Sequence, residues 1–249
     1  MLALIATPAS ALIIGDPPTP GLGFPVPFNE GASAYSATSL EYQEVYAATE
    51  FSHPIEIHSL MFYSTQCCKP IAEPLFANGI FTLSLSTTSV GVGKLSTNLA
   101  SNIGPDSTQV FIGSLPYATP PLANIISGQL FPYSIEFDLK KPFHFNPAIG
   151  NLLLDVVNNS TISGFGDIDG VYNGTAFSSA VTTNNPGAPG GAPELGLTTG
   201  FNETSPDGFI NYVAVPTITP LPAALPLFAT GLGALGLLGW LRKQKAVIA

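Results

Sequence analysis

Positive charge is scarce in this chain of 249 residues, which has seven lysines and arginines against sixteen acidic residues and a formal net charge of −9 at pH 7. The sequence contains no cluster of basic and aromatic residues, no glycine-rich phosphate loop and no zinc-ligand spacing. A surface of this charge repels nucleic acid and anionic lipid surfaces. The sequence therefore excludes nucleic acid as a partner, whereas it suits cations, neutral polysaccharide or simple solubility outside the cell.

Cysteine is also rare, because the chain has only Cys67 and Cys68, which are adjacent. A structural zinc site needs more ligands than the sequence supplies nearby. An exported protein can hold disulfide bonds, so three states are open for this pair: a strained vicinal disulfide in a tight loop, two free thiols, or a link between molecules. We expect a loop placement, because the pair follows a predicted strand.

Residues that could carry catalysis are few. No Gly-x-Ser-x-Gly occurs, and neither His53, which precedes a proline, nor His58, on a predicted strand, has the setting of a positioned base. Cleavage of a sugar needs two acids about 5–10 Å apart in a cleft. The acids available on or near predicted strands have solvent-facing parity, and they are Glu44, Glu50, Glu56, Glu136 and Asp138. We therefore predict no catalytic residue and no enzymatic activity.

A hydrophobic period of two runs through the middle of the chain. Phe81, Leu83 and Leu85 alternate with threonine and serine, which is typical of a strand with one face to a core and one to water. The same pattern predicts further strands, at 55–63, 133–139, 143–145 and 152–156, with shorter candidates at 42–48, 110–113, 178–182, 195–199 and 209–215. No convincing amphipathic helical repeat occurs before Ala223.

Turn residues separate these predicted strands, among them Asn78-Gly79, Lys141-Pro142 and Asp169-Gly170. Many short strands with glycine and proline between them indicate an all-β domain. We predict an antiparallel β-sandwich or jelly roll over residues 31–215. An irregular segment rich in proline and glycine, residues 12–30, precedes it.

The best candidate for a cation site in the sequence includes Asp167 and Asp169. Followed by Gly170, they resemble the start of a calcium loop, in which oxygen ligands gather around a tight glycine turn. The bidentate glutamate that ends an EF-hand loop is missing, and Asx-turn hydrogen bonds explain the same residues without a metal. Calcium is the one cofactor for which the sequence offers a candidate.

Residues 223–241 are nineteen consecutive residues without a charge. As a helix they would be about 28 Å long, close to the ~30 Å of bilayer hydrocarbon. Arg242, Lys243 and Lys245 follow at once, and the positive-inside rule places such a cluster in the cytoplasm. We predict a transmembrane helix over 223–241, with everything before Pro220 outside the cytoplasm. The alternative is a buried core helix of a soluble domain.

Residues 1–11 end in Ala-Ser-Ala, which fits a signal-peptidase site after a short apolar stretch. A complete signal peptide carries a basic segment, and the first basic residue here is Lys69. We expect residues 1–11 to be a signal-peptide remnant whose true start lies upstream; the alternative is an apolar, disordered terminus. Between both ends lie all sixteen acidic residues and four lysines, which gives a formal net charge of −12.

The residues from Thr219 to Trp240 resemble a known sorting signal. A proline motif (220–226), the apolar run and the basic end (242–245) are similar to the VPLPA variant of the PEP-CTERM signal of bacterial envelope proteins. The motif residues are Pro220, Leu221, Pro222 and Ala223. The resemblance implies export, transient membrane anchoring and processing by an exosortase, with residues 216–249 as the signal. Thr219 stands where the family usually has valine.

Blocks such as Tyr42–Tyr46 and Asn146–Val156 resemble those of uncharacterised PEP-CTERM ectodomains, a resemblance that implies a β-sandwich and no activity. We expect an exported, non-enzymatic envelope or extracellular-matrix protein, processed by signal peptidase and an exosortase, anchored in the membrane before release to the cell surface, and associated with exopolysaccharide. The alternatives are a secreted carbohydrate-active enzyme, a calcium-dependent carbohydrate-binding module, and a membrane protein whose tail is never processed.

Overall fold

The structure is a computed structural model, and it describes residues 11–15, 22–24, 26–29, 39–65, 75–116, 132–159, 168–172, 176–183 and 195–217. The chain separates into two units, Met1–Pro216 and Thr217–Ala249. All strands given below belong to the first unit. Within the described residues, the helical elements are two short 3-10 turns, Ala48–Glu50 and Leu99–Asn102, so the predicted all-β character is confirmed.

The strands of the described residues are numbered in chain order. They are β1 (Leu12–Ile14), β2 (Leu22–Phe24), β3 (Leu40–Tyr46), β4 (Ile55–Ser64), β5 (Phe81–Thr88), β6 (Thr108–Ser114), β7 (Tyr133–Phe145), β8 (Asn151–Asn158), β9 (Ile168–Tyr172), β10 (Phe177–Thr183), β11 (Leu195–Leu197), β12 (Thr199–Phe201), β13 (Ile210–Val213) and β14 (Val215–Pro216).

These strands form three sheets. A five-stranded sheet has the order β1-β12-β4-β7-β13, a six-stranded sheet has the order β10-β3-β8-β5-β6-β14, and a three-stranded sheet has the order β11-β9-β2. The pairing is antiparallel except between β13 and β7, which are parallel. Strands distant in sequence therefore lie side by side, and the register of each pair decides which side chains meet.

Alternation along the strands builds the core, as the sequence predicted. In β5, Phe81, Leu83 and Leu85 are fully buried, while the intervening Thr82 and Ser84 are half-buried. Side chains on alternate positions point to opposite faces of a strand. In β5 the apolar side chains therefore lie on the core face, and the threonine and serine between them lie on the other face.

The two larger sheets share one hydrophobic core, and Phe28 lies at its centre. Its ring centroid is 4.6 Å from that of Phe62 and 5.2 Å from that of Phe137, both in the five-stranded sheet. It is also 5.9 Å from Phe81 in the six-stranded sheet. Aromatic pairs at these separations add to the free energy gained by burial alone, so this ring joins the two sheets.

Strand β7 is longer than the sequence predicted. It continues through Lys141-Pro142, so the turn predicted there is wrong. The register between β7 and β4 shifts between Ile57 and Ser59, which marks a bulge at this point. A proline is tolerated in a bulge, because no regular ladder hydrogen bond is lost there.

The turn predicted at Asp169-Gly170 is also wrong. Both residues lie in β9, the central strand of the three-stranded sheet, where Gly170 is paired with Leu197 on one side and Leu22 on the other. An Asp-Gly pair favours a turn when the aspartate bonds to its own backbone. Here the Asp169 carboxylate accepts hydrogen bonds from Thr65 instead, which leaves the backbone free for the sheet.

No helix within the described residues is long and apolar enough to cross a membrane. The predicted transmembrane segment, residues 223–241, lies outside those residues.

Candidate functional site

Many residues singled out in the sequence lie outside the described part of the chain. They are Cys67, Cys68, Asp167, Pro220, Leu221, Pro222, Ala223, Arg242, Lys243 and Lys245. The cysteine pair, the sorting motif and the membrane stop therefore stay predictions. The structure does describe Asp169, the three histidines and the acids considered for catalysis.

Asp169 ties β9 to the end of β4. Its carboxylate accepts from the Thr65 amide at 3.0 Å, through Oδ1 and Oδ2, and from Thr65 Oγ1 at 3.1 Å. Burial raises the pKa of Asp169, while these hydrogen bonds lower it. The side chain is 3% exposed. It thus has a structural role at this position, and the calcium prediction that pairs it with Asp167 stays a prediction.

Two histidines meet one glutamate on the exposed face of β4 and β7. Glu56 lies opposite His144 in the register, and its Oε1 is 3.2 Å from His144 Nε2, while its Oε2 is 3.5 Å from His58 Nε2. Among the described residues, no group of three or more histidines, cysteines and acids has the arrangement of a metal site. The contacts of Glu56 with the two histidines are therefore ion pairs on the protein surface when the histidines are charged.

His53 lies at a small cavity rather than in a catalytic arrangement. Its Nδ1 is 2.7 Å from Ser52 Oγ, and both residues line a cavity of about 40 Å³ together with Glu50. Ligand pockets of proteins generally measure about 300–1,000 Å³. This cavity is too small to enclose a sugar ring.

Glu44 corrects one prediction, because it does not face solvent. It is fully buried, on the core face of β3 that also carries Tyr42 and Tyr46. Tyr42 Oη donates to its Oε2 at 2.7 Å, and the Leu197 amide donates to its Oε1 at 3.1 Å. Burial raises the pKa of Glu44 to about 8, although these hydrogen bonds lower it. The tyrosines at even spacing around Glu44 are the sequence signal that could have placed it inside.

The strongest candidate for acid–base chemistry is a pair of carboxyl groups on the outer face of the six-stranded sheet. The register of β3 with β8 places Gln43 opposite Asp155, and Gln43 Nε2 donates to Asp155 Oδ1 at 2.9 Å. Glu41, two residues before Gln43 on the same face, is hydrogen-bonded to Asp155 through its carboxyl group. Both acids are half-buried.

One proton serves this pair. Burial and then the charge of Asp155 raise the pKa of Glu41 to about 7, and burial raises the pKa of Asp155. Two adjacent carboxyl groups cannot both ionise without repulsion. Glu41 therefore holds its proton to a higher pH than an ordinary glutamate does, and the protonated carboxyl group donates to Asp155.

The loop between β5 and β6 closes over Gln43. Gln43 Nε2 donates to the Leu99 carbonyl at 3.2 Å, and Asn102 Nδ2 donates to Gln43 Oε1 at 2.9 Å. Asn102 also holds Ser96, since its Nδ2 donates to the Ser96 carbonyl at 3.0 Å and its Oδ1 accepts from the Ser96 amide at 2.9 Å. The side-chain amides of Gln43 and Asn102, which lie beside the acid pair, are therefore hydrogen-bonded to other protein groups.

The chemistry open to the acid pair is limited by its geometry. The acids of a glycosidase stand at least about 5 Å apart, whereas Glu41 and Asp155 are in direct hydrogen-bond contact. The arrangement can store a proton near neutral pH and hold the loop, but it lacks the separation that glycoside cleavage needs. Sequence reasoning missed this pair because only the strand register brings the two acids together.

Comparison with protein-family models, with curated proteins and with solved structures found no match to this chain.

Proposed function

We propose that this is an exported bacterial envelope or extracellular-matrix protein that is sorted through its C-terminal segment and has no enzymatic activity. One observation carries the proposal: in residues 220–245 a proline motif, a charge-free apolar run and a basic cluster follow one another. Such a run is long enough to span a bilayer, and the cluster favours the cytoplasmic side. The β-rich unit then lies outside the cytoplasm until an exosortase-type enzyme processes the tail.

The described part of the chain supports a structural role. We propose that its two larger sheets form a β-sandwich, because rings from both pack on Phe28. Its acid pair is held by Gln43 and by a closed loop, which suits stability more than turnover. The acidic charge between residues 12 and 220 favours neutral polysaccharide over nucleic acid as a partner.

Processing is tested by intact-mass analysis in a bacterium that has an exosortase. We expect the material recovered from the cell surface or the medium to lack Trp240 and the basic end. The double variant Pro220→Ala, Pro222→Ala is expected to stay in the membrane at full length. Pro206→Ala, at an exposed position outside the tail, is the matched control and is expected to be processed like the unchanged chain.

The opposite outcome has a clear meaning. Full-length protein that stays in the membrane whether or not the enzyme is present would show a permanent anchor and contradict processing. Full-length protein in the cytosol would contradict export.

The polysaccharide role is tested with the processed product. We expect it to be retained by immobilised neutral exopolysaccharide and to release no reducing sugar from it. Absence of retention on every neutral and acidic glycan of an array contradicts the matrix role. Release of reducing ends by the purified product would favour the carbohydrate-active enzyme instead.

A further inference from the structure

Tyr63 lies on the outer face of the five-stranded sheet, yet it is almost fully buried. It lies opposite Ser134 in the register of β4 with β7, and the loop between β12 and β13 folds over it. Ser205 Oγ of that loop is 2.7 Å from Ser134 Oγ, and the Phe209 ring meets the Tyr63 ring edge-on at 6.4 Å. The Tyr63 side chain is consequently 1% exposed.

The Tyr63 hydroxyl is buried without a hydrogen-bond partner. A buried hydroxyl normally has a partner, because losing water without replacement costs free energy. Burial raises the pKa of Tyr63, and the negative charges of Glu203 and Glu136 raise it further. The hydroxyl therefore lies in the field of two carboxylates and keeps its proton.

Gly200 lets the Tyr63 hydroxyl and the Glu203 side chain pack directly against the backbone of β12. A Cβ atom at this position would collide with the Tyr63 hydroxyl and would lie 3.0 Å from Glu203 Cβ. The Glu203 side chain and the Tyr63 hydroxyl thus converge above the same glycine. In the register, Met61 on β4 is paired with Gly200 on β12 and with Glu136 on β7. Glu136 therefore lies on the same face of the sheet as Gly200, one strand beyond Met61.

Further polar groups lie beside Glu136 on this face. Asn211 Nδ2 donates to Glu136 Oε2, and Asn211 Oδ1 accepts from Ser134 Oγ at 3.1 Å. Two carboxylates and a phenolic oxygen are the kind of oxygen ligands that a hard cation prefers.

We propose that Glu136, Glu203 and the Tyr63 hydroxyl bind a hard divalent cation, with Ca²⁺ as the best fit. The carboxylates supply the charge, the phenolic oxygen supplies a lone pair, and water completes the coordination, since Ca²⁺ takes six to eight oxygen ligands in flexible geometry. Bound cation would fix the loop that carries Glu203 to the sheet that carries Glu136. This inference does not rest on the proposed export or sorting.

The test uses the metal-stripped full chain, kept in solution with a non-ionic detergent. Terbium, which replaces Ca²⁺ at oxygen sites, is added while tyrosine is excited, and Ca²⁺ is then titrated to displace it. We expect tyrosine-sensitised terbium emission that Ca²⁺ abolishes. Calorimetry with Ca²⁺ should show Glu203→Gln weakening the affinity by at least about tenfold, as loss of a metal-site partner commonly does.

Two further variants make the result specific. Asp207→Asn removes the same charge from an exposed position of the same loop, and its Ca²⁺ affinity should stay within about twofold of the unchanged chain because only local ligands matter. Tyr63→Phe should weaken Ca²⁺ binding, yet leave the cation-free protein as stable as before, because the hydroxyl it removes has no partner.

Several results would overturn the proposal. Ca²⁺ binding that is unchanged in Glu203→Gln and Tyr63→Phe places the cation elsewhere, for example at the predicted Asp167 and Asp169. The assignment of Ca²⁺ is also wrong if the unchanged chain does not bind Ca²⁺, or if it binds Mg²⁺ at least as tightly as Ca²⁺. An equal loss of affinity in Asp207→Asn shows only a general effect of charge.

Discussion

Glu41 and Asp155 are hydrogen-bonded through their carboxyl groups on the outer face of the six-stranded sheet, and burial raises the pKa of both. The neighbouring Gln43 donates to Asp155 and is itself held by Asn102. A proton retained near neutral pH and a loop closed by amide hydrogen bonds are therefore parts of one network. The ionisation of this pair and the stability of the loop are measurable separately.

The first prediction concerns the pKa of Glu41, which is about 7 in the folded protein. We expect a carboxyl-detected NMR titration to show Glu41 losing its proton near that pH. Asp155→Asn removes the charge and the carboxyl hydrogen bond that help to raise the pKa, so the Glu41 midpoint should move to lower pH. Asp138→Asn, an exposed aspartate on β7, should leave the midpoint unchanged, and a shift of the same size there would count against the pairing.

The second prediction concerns the pH dependence of stability. The pKa of Glu44 is about 8 in the folded protein against 4.5 in its ordinary state, so folding favours the protonated acid. The contribution of this group is fully present below about pH 4.5 and is lost as the pH rises through about 8. We expect the free energy of unfolding, measured with urea, to fall steadily across that window.

A matched pair of variants isolates Glu44. Glu44→Gln should make this decline shallower, because the amide is neutral like the protonated acid and does not ionise as the pH rises. Glu50→Gln, at an exposed position, should keep the slope of the unchanged chain. Stability that rises between about pH 5 and about pH 8 would refute the assignment of a buried, protonated Glu44.

The third prediction concerns the loop between β5 and β6. Asn102→Ala removes the hydrogen bonds to Gln43 and Ser96 and leaves buried polar groups unsatisfied, which should cost about 2–3 kcal/mol. The Ser96 amide should exchange its hydrogen faster. Asn98→Ala is the control, because Asn98 is exposed and its side chain makes no capping hydrogen bond. Equal exchange rates in both variants would show that Asn102 does not hold the loop.

The fourth prediction concerns the contact between the two larger sheets. Phe28 packs on rings from both sheets, so Phe28→Ala should reduce the free energy of unfolding by about 3–5 kcal/mol. Ile149→Ala removes an apolar side chain that is 69% exposed, and it should change stability by less than about 0.5 kcal/mol. Stability is measured by thermal and urea unfolding. If Phe28→Ala lost no more stability than Ile149→Ala, Phe28 would not join the two sheets.

The sequence predicted well those features that depend on local alternation. The period of two correctly placed Phe81, Leu83 and Leu85 on the core face of β5. It failed at Glu44, because a glutamate on a strand is ordinarily assigned to the solvent-facing side, although its even spacing from Tyr42 and Tyr46 puts it on their buried face. It also failed at Pro142, because a bulge that tolerates proline depends on the register with another strand.

Sequence patterns could not predict the two polar clusters, the one at Glu41 and Asp155 and the one at Tyr63 and Glu203. Glu41 meets Asp155 only through the pairing of β3 with β8. Likewise, the Tyr63 hydroxyl meets Glu203 because the loop after β12 folds back over the sheet above Gly200. Neither cluster has a characteristic spacing along the chain, so both require knowledge of strand order and register.

The most direct test of the central claim is the topology of the chain in intact cells that lack a processing enzyme. A membrane-impermeant amine reagent, read out by mass spectrometry, is expected to label Lys94 and Lys141, which are exposed on the β-rich unit. It should leave Lys243 and Lys245 unlabelled until the cells are lysed. Labelling of Lys243 and Lys245 in intact cells, or no labelling of Lys94 before lysis, would contradict an exported domain held by a span with a cytoplasmic basic end.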